Sequence, residues 1–360
     1  MASMSVTEYT YAPYRFQHAS AVCALKEPAK NHGSQKSGAL VAFYAGLSEC
    51  HESQHVCLAF NGEVFHELEP YTGNPVLFST SETEAVLIYS KFEDLPANRI
   101  RWWQYCSLWA RKISTLDDGV LCVSDPEQII VEMEDLPTGK GLLTRCHPVK
   151  TEIPGFTEEK WCLPVYREHD PTHHGALLIS DDGFKWETHS LIGHDSTSNR
   201  GLPIRSIQPT FWKQNGELHA LLRNFNYSSK GPRLAYHSRL DADGKWKPLV
   251  ESTLYNANNS LVVLPHNDRS FVLWNHDPKG RNNLFLGVLN THGTGVPNGG
   301  VIAKVSDYGH YPSMAVIEGK LHILFTTSIA HVDSFTAKSC IKHRIFDLDS
   351  MEMFLKAKGF

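Results

Sequence analysis

No apolar run in this 360-residue chain approaches the length of a membrane-spanning helix, which takes about 20 residues. The opening stretch, Met1 to Arg15, also lacks the apolar core of a signal peptide. No charge sign dominates: 34 Lys and Arg stand against 39 Asp and Glu, interspersed, for a net charge of -5. That excludes the basic face of a nucleic-acid or membrane-surface binder. The eight cysteines show none of the paired spacings of a zinc site. Cys23, Cys57, Cys106 and Cys162 sit inside apolar strand-like runs and read as small buried thiols. We therefore expect no metal and no cofactor. A reduced, cytoplasmic location is the expectation, with secretion as the alternative. The sequons at Asn226 and Asn258 fall where the binding mouth is placed below, and glycans there would obstruct it. Helical periodicity is almost absent.

What is present is a succession of short β-rich runs punctuated by Gly, Asn, Asp and Pro, the pattern of an all-β array. The turn glycines Gly62, Gly119, Gly183 and Gly244 recur at intervals of about one propeller blade. Dividing the chain by that interval predicts a six-bladed β-propeller, with seven blades as runner-up, in a single domain spanning 1–360. The runs Ile207–Trp212, Glu217–Arg223, Arg233–His237 and Trp246–Val250 form the clearest blade. The segment 125–141 is acidic and irregular. The last blade lacks a fourth strand, and Thr7–Tyr11 is expected to supply it, closing the ring and removing the free sheet edge.

One turn carries a family signature. In Gly175–Trp186 an apolar strand runs into Ser180, Asp182 and Gly183, then Trp186. Short oxygen side chains bond the local backbone there, and glycine accepts positive φ. Ser-x-Asp-Gly-x-x-Trp resembles the Asp-box of the sialidase superfamily, one residue shorter than its fullest form. Asp243, Gly244 and Trp246 make a weaker copy, and 113–119 another without the Trp. Further stretches are similar in order to landmarks of the BNR-repeat, sialidase-like family: His18–Leu25 with Val41–Glu49, Ser206–Asn224, Asn256–Ser260, Leu273–Arg281, Tyr311–Met314 and Ile341–His343. The likeness is patchy from Pro96 to Gly141.

In a propeller, the starts of first strands and the ends of second strands open on one face near the axis. First-strand starts offer Arg15, His18, Arg145, His147, Gln208, Asn256 to Asn259, His310 and Tyr311; second-strand ends offer Glu49, His51, Glu52, Arg223, Asn224, His276 and Arg281. Converging guanidiniums bind a carboxylate through paired, charge-assisted hydrogen bonds, so the expected partner is a small acidic sugar or other anionic small molecule. The resemblance implies a clamp of Arg15, Arg223 and Arg281 around Tyr311 as nucleophile; Arg145, Asn258 and His343 are further candidate binding residues. A neutral tyrosine suits an anionic substrate that would repel a carboxylate.

Two departures from the family pattern matter. Gln208 stands where an activating Glu is expected and takes no proton at neutral pH. No Asp marks the acid/base position, since His51 and Glu52 both lie in that loop; Glu49, just before it, is a further catalytic candidate that can equally serve a loop salt bridge. Hydrolysis of a carboxylate-bearing sugar is the first expectation, on what the family resemblance implies; the departures favour the rivals. A uronate lyase using His18, His51, His310 or His343 beside Tyr311 is the second. A binding protein, or a pocket turned to another small-molecule reaction, is the third. Each residue also has a plain structural reading. Arg15 near the terminus can face solvent; His18 can be a core hydrogen-bonding group; Trp102, Trp103 and Trp109 can fill space between blades; Asp170 with His173 and His174 can be an ordinary loop.

Overall fold

The computed structural model describes residues 14–26, 37–92, 102–116, 120–132, 141–168, 174–193, 196–197, 204–225, 233–328 and 338–360, with main chain alone for 7–10 and 102. Its strands form six antiparallel sheets, in the six-bladed rather than the seven-bladed arrangement. Blade one runs outward through Phe16–Lys26, Ser37–Gly46, His55–Phe60 and Glu63–Glu67. Blade four repeats that order with Ser206–Gln214, Glu217–Asn224, Leu234–Arg239 and Val250–Tyr255, and blade five with Val262–His266, Arg269–Asn275, Asn282–Val288 and Val301–Tyr308. Blade six has His310–Ile317, Lys320–Ser328 and Ser339–Asp347. Its outermost strand is Thr7–Thr10, paired from Thr7 against Ile345 to Thr10 against Lys342. The expected closure by the N-terminal strand is present.

Side chains alternate across each strand, so every sheet feeds two seams. Phe211 packs toward blade three while Trp212 packs toward blade five; Phe271 faces blade six while Val272 faces blade four. The apolar interior accordingly holds one cluster per seam around the ring, with a seventh of Phe92, Cys106, Leu143, Tyr166 and Ile207. The seam between blades six and one adds hydrogen bonds: Ser339 Oγ donates to Gln17 O at 2.8 Å, and Ala19 N to Thr326 Oγ1 at 3.0 Å.

The Asp-box turn forms as its residues dictate. Gly183, at φ 74°, donates to Ser180 Oγ at 2.9 Å. Phe184 and Lys185 both donate to Asp182 Oδ1 at 2.8 Å. Burial opposes ionisation of Asp182, but those main-chain donors outweigh it and hold the carboxyl below its usual range. Trp186 is buried in the seam toward blade two, edge-on to Phe78. In the copy on blade four the turning carboxylate is Asp241, not Asp243: Asp243 and Lys245 donate to Asp241 Oδ1 at 3.0 and 2.9 Å. The third copy, with Gly119, lies outside the described residues.

Three features depart from the sequence expectation. Segment 125–141 contributes Glu127–Ile129, which completes blade two alongside Leu121–Val123 on the same neighbouring strand. The innermost strand of blade three is interrupted: Leu142–Thr144 and Val149–Thr151 both pair with Lys160–Arg167. A helix, Leu348–Ala357, ends the chain, capped by Asp347, which accepts from Ser350 N. It buries Leu348, Met351 and Leu355 in the seam of blades five and six. Among the described residues no helix is long and apolar enough to cross a membrane. All eight cysteines are free, and Cys23, Cys57, Cys106 and Cys162 are buried.

Candidate functional site

Four of the six innermost strands share a kink near their starts. Ala19, Asn74, Gln208 and Tyr311 all have φ between 46° and 51°, and the strand register shifts at each of them. The next residue is Ser20, Pro75, Pro209 or Pro312. Such a bulge bends the strand and re-aims a side chain. For a tyrosine, left-handed backbone is a genuine outlier. It costs on the order of 1–3 kcal/mol and persists only where the surroundings over-determine it.

Arg145 is part of what does so. It is fully buried, and its Nη1 and Nη2 atoms donate to the carbonyls of Ser20 at 3.1 Å, Tyr311 at 2.5 Å and Pro312 at 3.2 Å. These bonds tie the kinks of blades one and six to the gap in blade three. Arg145 is thus a girder under the site, correcting the expectation that it binds ligand.

Above it, Arg223 at the end of the second strand of blade four organises the pocket. Its Nη1 donates to Gln208 Oε1 at 2.8 Å and to Tyr311 Oη at 3.0 Å; its Nε donates to Asn258 Oδ1 at 2.9 Å. Gln208 passes the network on, donating Nε2–H to Tyr166 Oη at 3.1 Å. Arg281 lies 5.2 Å from the centre of the Tyr311 ring. Two of its hydrogen bonds are longer, 3.4 Å to Asn258 O and 3.5 Å to His310 Nδ1. Arg223, Arg281, Asn258, Gln208 and Tyr311 therefore meet as the sequence suggested.

His18 joins them: its ring centre is 4.4 Å from that of Tyr311 and 5.1 Å from that of His310. Burial, then the charges of Arg281, Arg145 and Arg223, hold the His18 imidazole well below its usual range, so it stays neutral. Burial and then Arg281 do the same to His310.

Glu49 faces this cationic side across a small pocket lined by Tyr44, Glu49, Asn74, Trp103, Tyr166, Glu168, Gln208 and Tyr311. Tyr44 Oη donates to Glu49 Oε1 at 3.3 Å. Burial is the largest influence on Glu49 and raises its carboxyl; Arg281 opposes, Glu168 assists, and the group ends at about 7.

Three expected residues lie elsewhere. Arg15 is exposed at a bend before the first strand, and His18 occupies the inward position on that blade. His51 is turned to its own loop, where Nδ1 accepts from Ser53 N at 3.0 Å and lies 2.8 Å from Ser53 Oγ. His343 is two strands out from the axis, its Nε2 3.0 Å from His322 Nδ1. Burial, then His322, pushes it down to about 3. Asp170 and His173 lie outside the described residues. The residues missed were Glu168, Tyr44, Tyr166 and Asn74. Glu168 follows Lys160–Arg167, the second strand of blade three, where the rule of strand ends already pointed. The dipeptides Asn74-Pro75, Gln208-Pro209 and Tyr311-Pro312 were a repeat in plain view.

Six blades around an axial pocket of arginine, tyrosine and carboxylate define a sialidase-like β-propeller. The chain belongs to the BNR repeat-like domain family, which its residues 37–323 match. Among solved structures, a Dyadobacter fermentans protein of unknown function superposes with a TM-score of 0.63 at 12% identity, over 96% of this chain and all of that one. Trypanosoma rangeli sialidase gives 0.62 at 12% identity over 98% of this chain, which spans 61% of the sialidase. Phage phi92 endosialidase gives 0.56 at 9% identity, over 96% and 69% of the two chains. At these identities the likeness is one of fold. No protein of curated function matches in sequence.

Proposed function

We propose that this protein is an exo-glycoside hydrolase acting on a small sugar that carries a carboxylate, with the reaction in the axial pocket. The observation that supports this most is Arg223 donating to the Tyr311 phenol oxygen at 3.0 Å opposite a carboxyl, Glu49, held at about 7. The solved Trypanosoma rangeli sialidase holding sialic acid is a precedent for an acidic sugar on this fold.

In this reading Arg281 and Arg223 pair with the substrate carboxylate. Tyr311 Oη attacks the anomeric carbon, and the guanidinium of Arg223 stabilises the charge that develops on that oxygen. Gln208 cannot accept the phenol proton, so Glu168, which lines the same pocket, takes it. Glu49, protonated below about pH 7, gives its proton to the leaving-group oxygen. It then removes one from the water that releases the sugar.

Chromogenic aryl glycosides of acidic sugars test this. Tyr311→Phe is expected to abolish turnover, and Glu49→Gln to slow poor leaving groups far more than good ones. Full activity in Tyr311→Phe sinks the proposal. A second reading, elimination next to a uronic acid, is favoured by neutral His18 and His310 against Tyr311. His18 Nδ1 is buried with no hydrogen-bond partner among the described residues. A lyase product carries a conjugated double bond and absorbs in the ultraviolet; a hydrolase product does not.

A further inference from the structure

Far from the axial chemistry, the two outer strands of blade one hold an unassigned group of ligating side chains. His55 and Cys57 are two residues apart on one strand, so both leave the same face. Glu67, on the outermost strand, is directly opposite Cys57. An imidazole nitrogen, the Cys57 sulfur and a carboxylate oxygen lie within 4.8 Å of one another.

His55 Nδ1 is 2.8 Å from the Ser53 carbonyl oxygen. A carbonyl only accepts, so Nδ1 carries the hydrogen and Nε2 is the lone-pair nitrogen of the neutral ring. That Nε2 is buried without a hydrogen-bond partner among the described residues, and it faces Glu67 Oε2 at 3.6 Å. The gap is too long for a hydrogen bond. It is close to the edge of a coordination tetrahedron, about 3.3–3.5 Å for metal–ligand bonds of about 2.0–2.2 Å. A carbonyl holding the far ring nitrogen is also the usual support of a ligating histidine.

We propose that His55, Cys57 and Glu67 bind one Zn²⁺, with water at the fourth position on the exposed side of Glu67. Thiolate with imidazole selects zinc over calcium or magnesium. Burial pushes the Cys57 thiol up to about 12, so the ion has to displace a proton that the thiol holds firmly. The function of the ion is a clamp. It ties Glu63–Glu67 to its neighbour, whose register slips between Leu58 and Ala59. Spacing rules missed it because the ligands are divided across a hairpin.

The test uses full-length protein stripped of metal, with Co²⁺ as a spectroscopic probe and Zn²⁺ as competitor. Expected is one equivalent of Co²⁺ with a thiolate-to-metal band in the near ultraviolet, displaced one for one by Zn²⁺. Zinc should raise Tm by a few degrees. The band disappears in Cys57→Ser, and affinity drops about tenfold or more in the surface variant Glu67→Gln. No stoichiometric band, a band that survives Cys57→Ser, or unchanged affinity in Glu67→Gln each overturns the proposal. Should Cys57→Ser fail to fold, Glu67→Gln still decides the matter.

Discussion

At the scale of single residues, Arg145 and Arg281, both a few ångströms from one phenol ring, do different work, and substitution separates them. Arg145 donates to the main-chain carbonyls of Ser20, Tyr311 and Pro312, so Arg145→Met leaves three acceptors stranded. Each buried unpaired group costs about 1–3 kcal/mol, and a large fall in the denaturation midpoint is expected. Arg281 has long hydrogen bonds and partial exposure. Arg281→Ala should weaken binding of an acidic sugar by about tenfold or more with little loss of stability; equal Tm losses for the two would undo the distinction. Glu49 makes the pH dependence readable. Its folded carboxyl titrates at about 7, and the acid form does the work, so kcat/KM should fall as pH rises through about 7. The limb should vanish in Glu49→Gln. A limb that persists there belongs to another group. Gln208→Glu, which restores a proton acceptor beside Arg223 and Tyr311, is expected to raise turnover of an acidic aryl glycoside.

At the scale of elements, the same local device recurs in several blades, and this decided what was legible in the sequence. The Asp-box was readable because Ser180, Asp182 and Gly183 act on backbone within three residues of themselves. Ser180→Ala removes one such bond and is expected to cost about 1 kcal/mol. The bulges at Asn74, Gln208 and Tyr311 were not read, since positive φ at a non-glycine residue is imposed by distant partners such as Arg145. A second repeat joins second and third strands: His219 Nδ1 lies 3.0 Å from His237 Nε2, and His322 Nδ1 lies 3.0 Å from His343 Nε2. Burial is the main cause that lowers His237 and His322 to about 4 and His343 to about 3. The unfolded chain, with histidines near 6.5, thus binds more protons than the folded one between those values and 6.5. Stability is full above about pH 6.5 and is lost as pH falls toward 4 and below. Equilibrium unfolding against pH checks this; replacing His322 and His343 by a pair without titratable groups should flatten the acid slope.

At the scale of the whole molecule, the ring and its axial mouth were legible because they follow from strand count and strand direction. That argument put Arg223, Arg281 and Tyr311 among the candidates at the mouth, and the family resemblance singled them out. What it missed sits where the regular blade fails: the gap at Arg145 to Pro148 in blade three, and Glu168 just behind Lys160–Arg167. The closed ring itself carries the last expectation. Thr7–Thr10 pairs Ser339–Asp347 through main-chain bonds, and blade six packs on blade one through Gln17, Thr326 and Ser339. Deleting residues 1–10 leaves that side-chain seam untouched but bares the edge of Ser339–Asp347. An exposed edge strand is a template for pairing with another chain. The truncated protein should therefore keep a native-like β signature yet associate at rising concentration, with a lower Tm than the full chain. A monomeric truncation of unchanged Tm would mean that closure rests on the seam alone. Because the kink at Tyr311 is braced from blades one and three, not from the outer strand, the axial pocket should survive the deletion in whatever fraction stays monomeric. Activity per folded monomer, measured by active-site titration, is the quantity that tells a damaged ring from a damaged site.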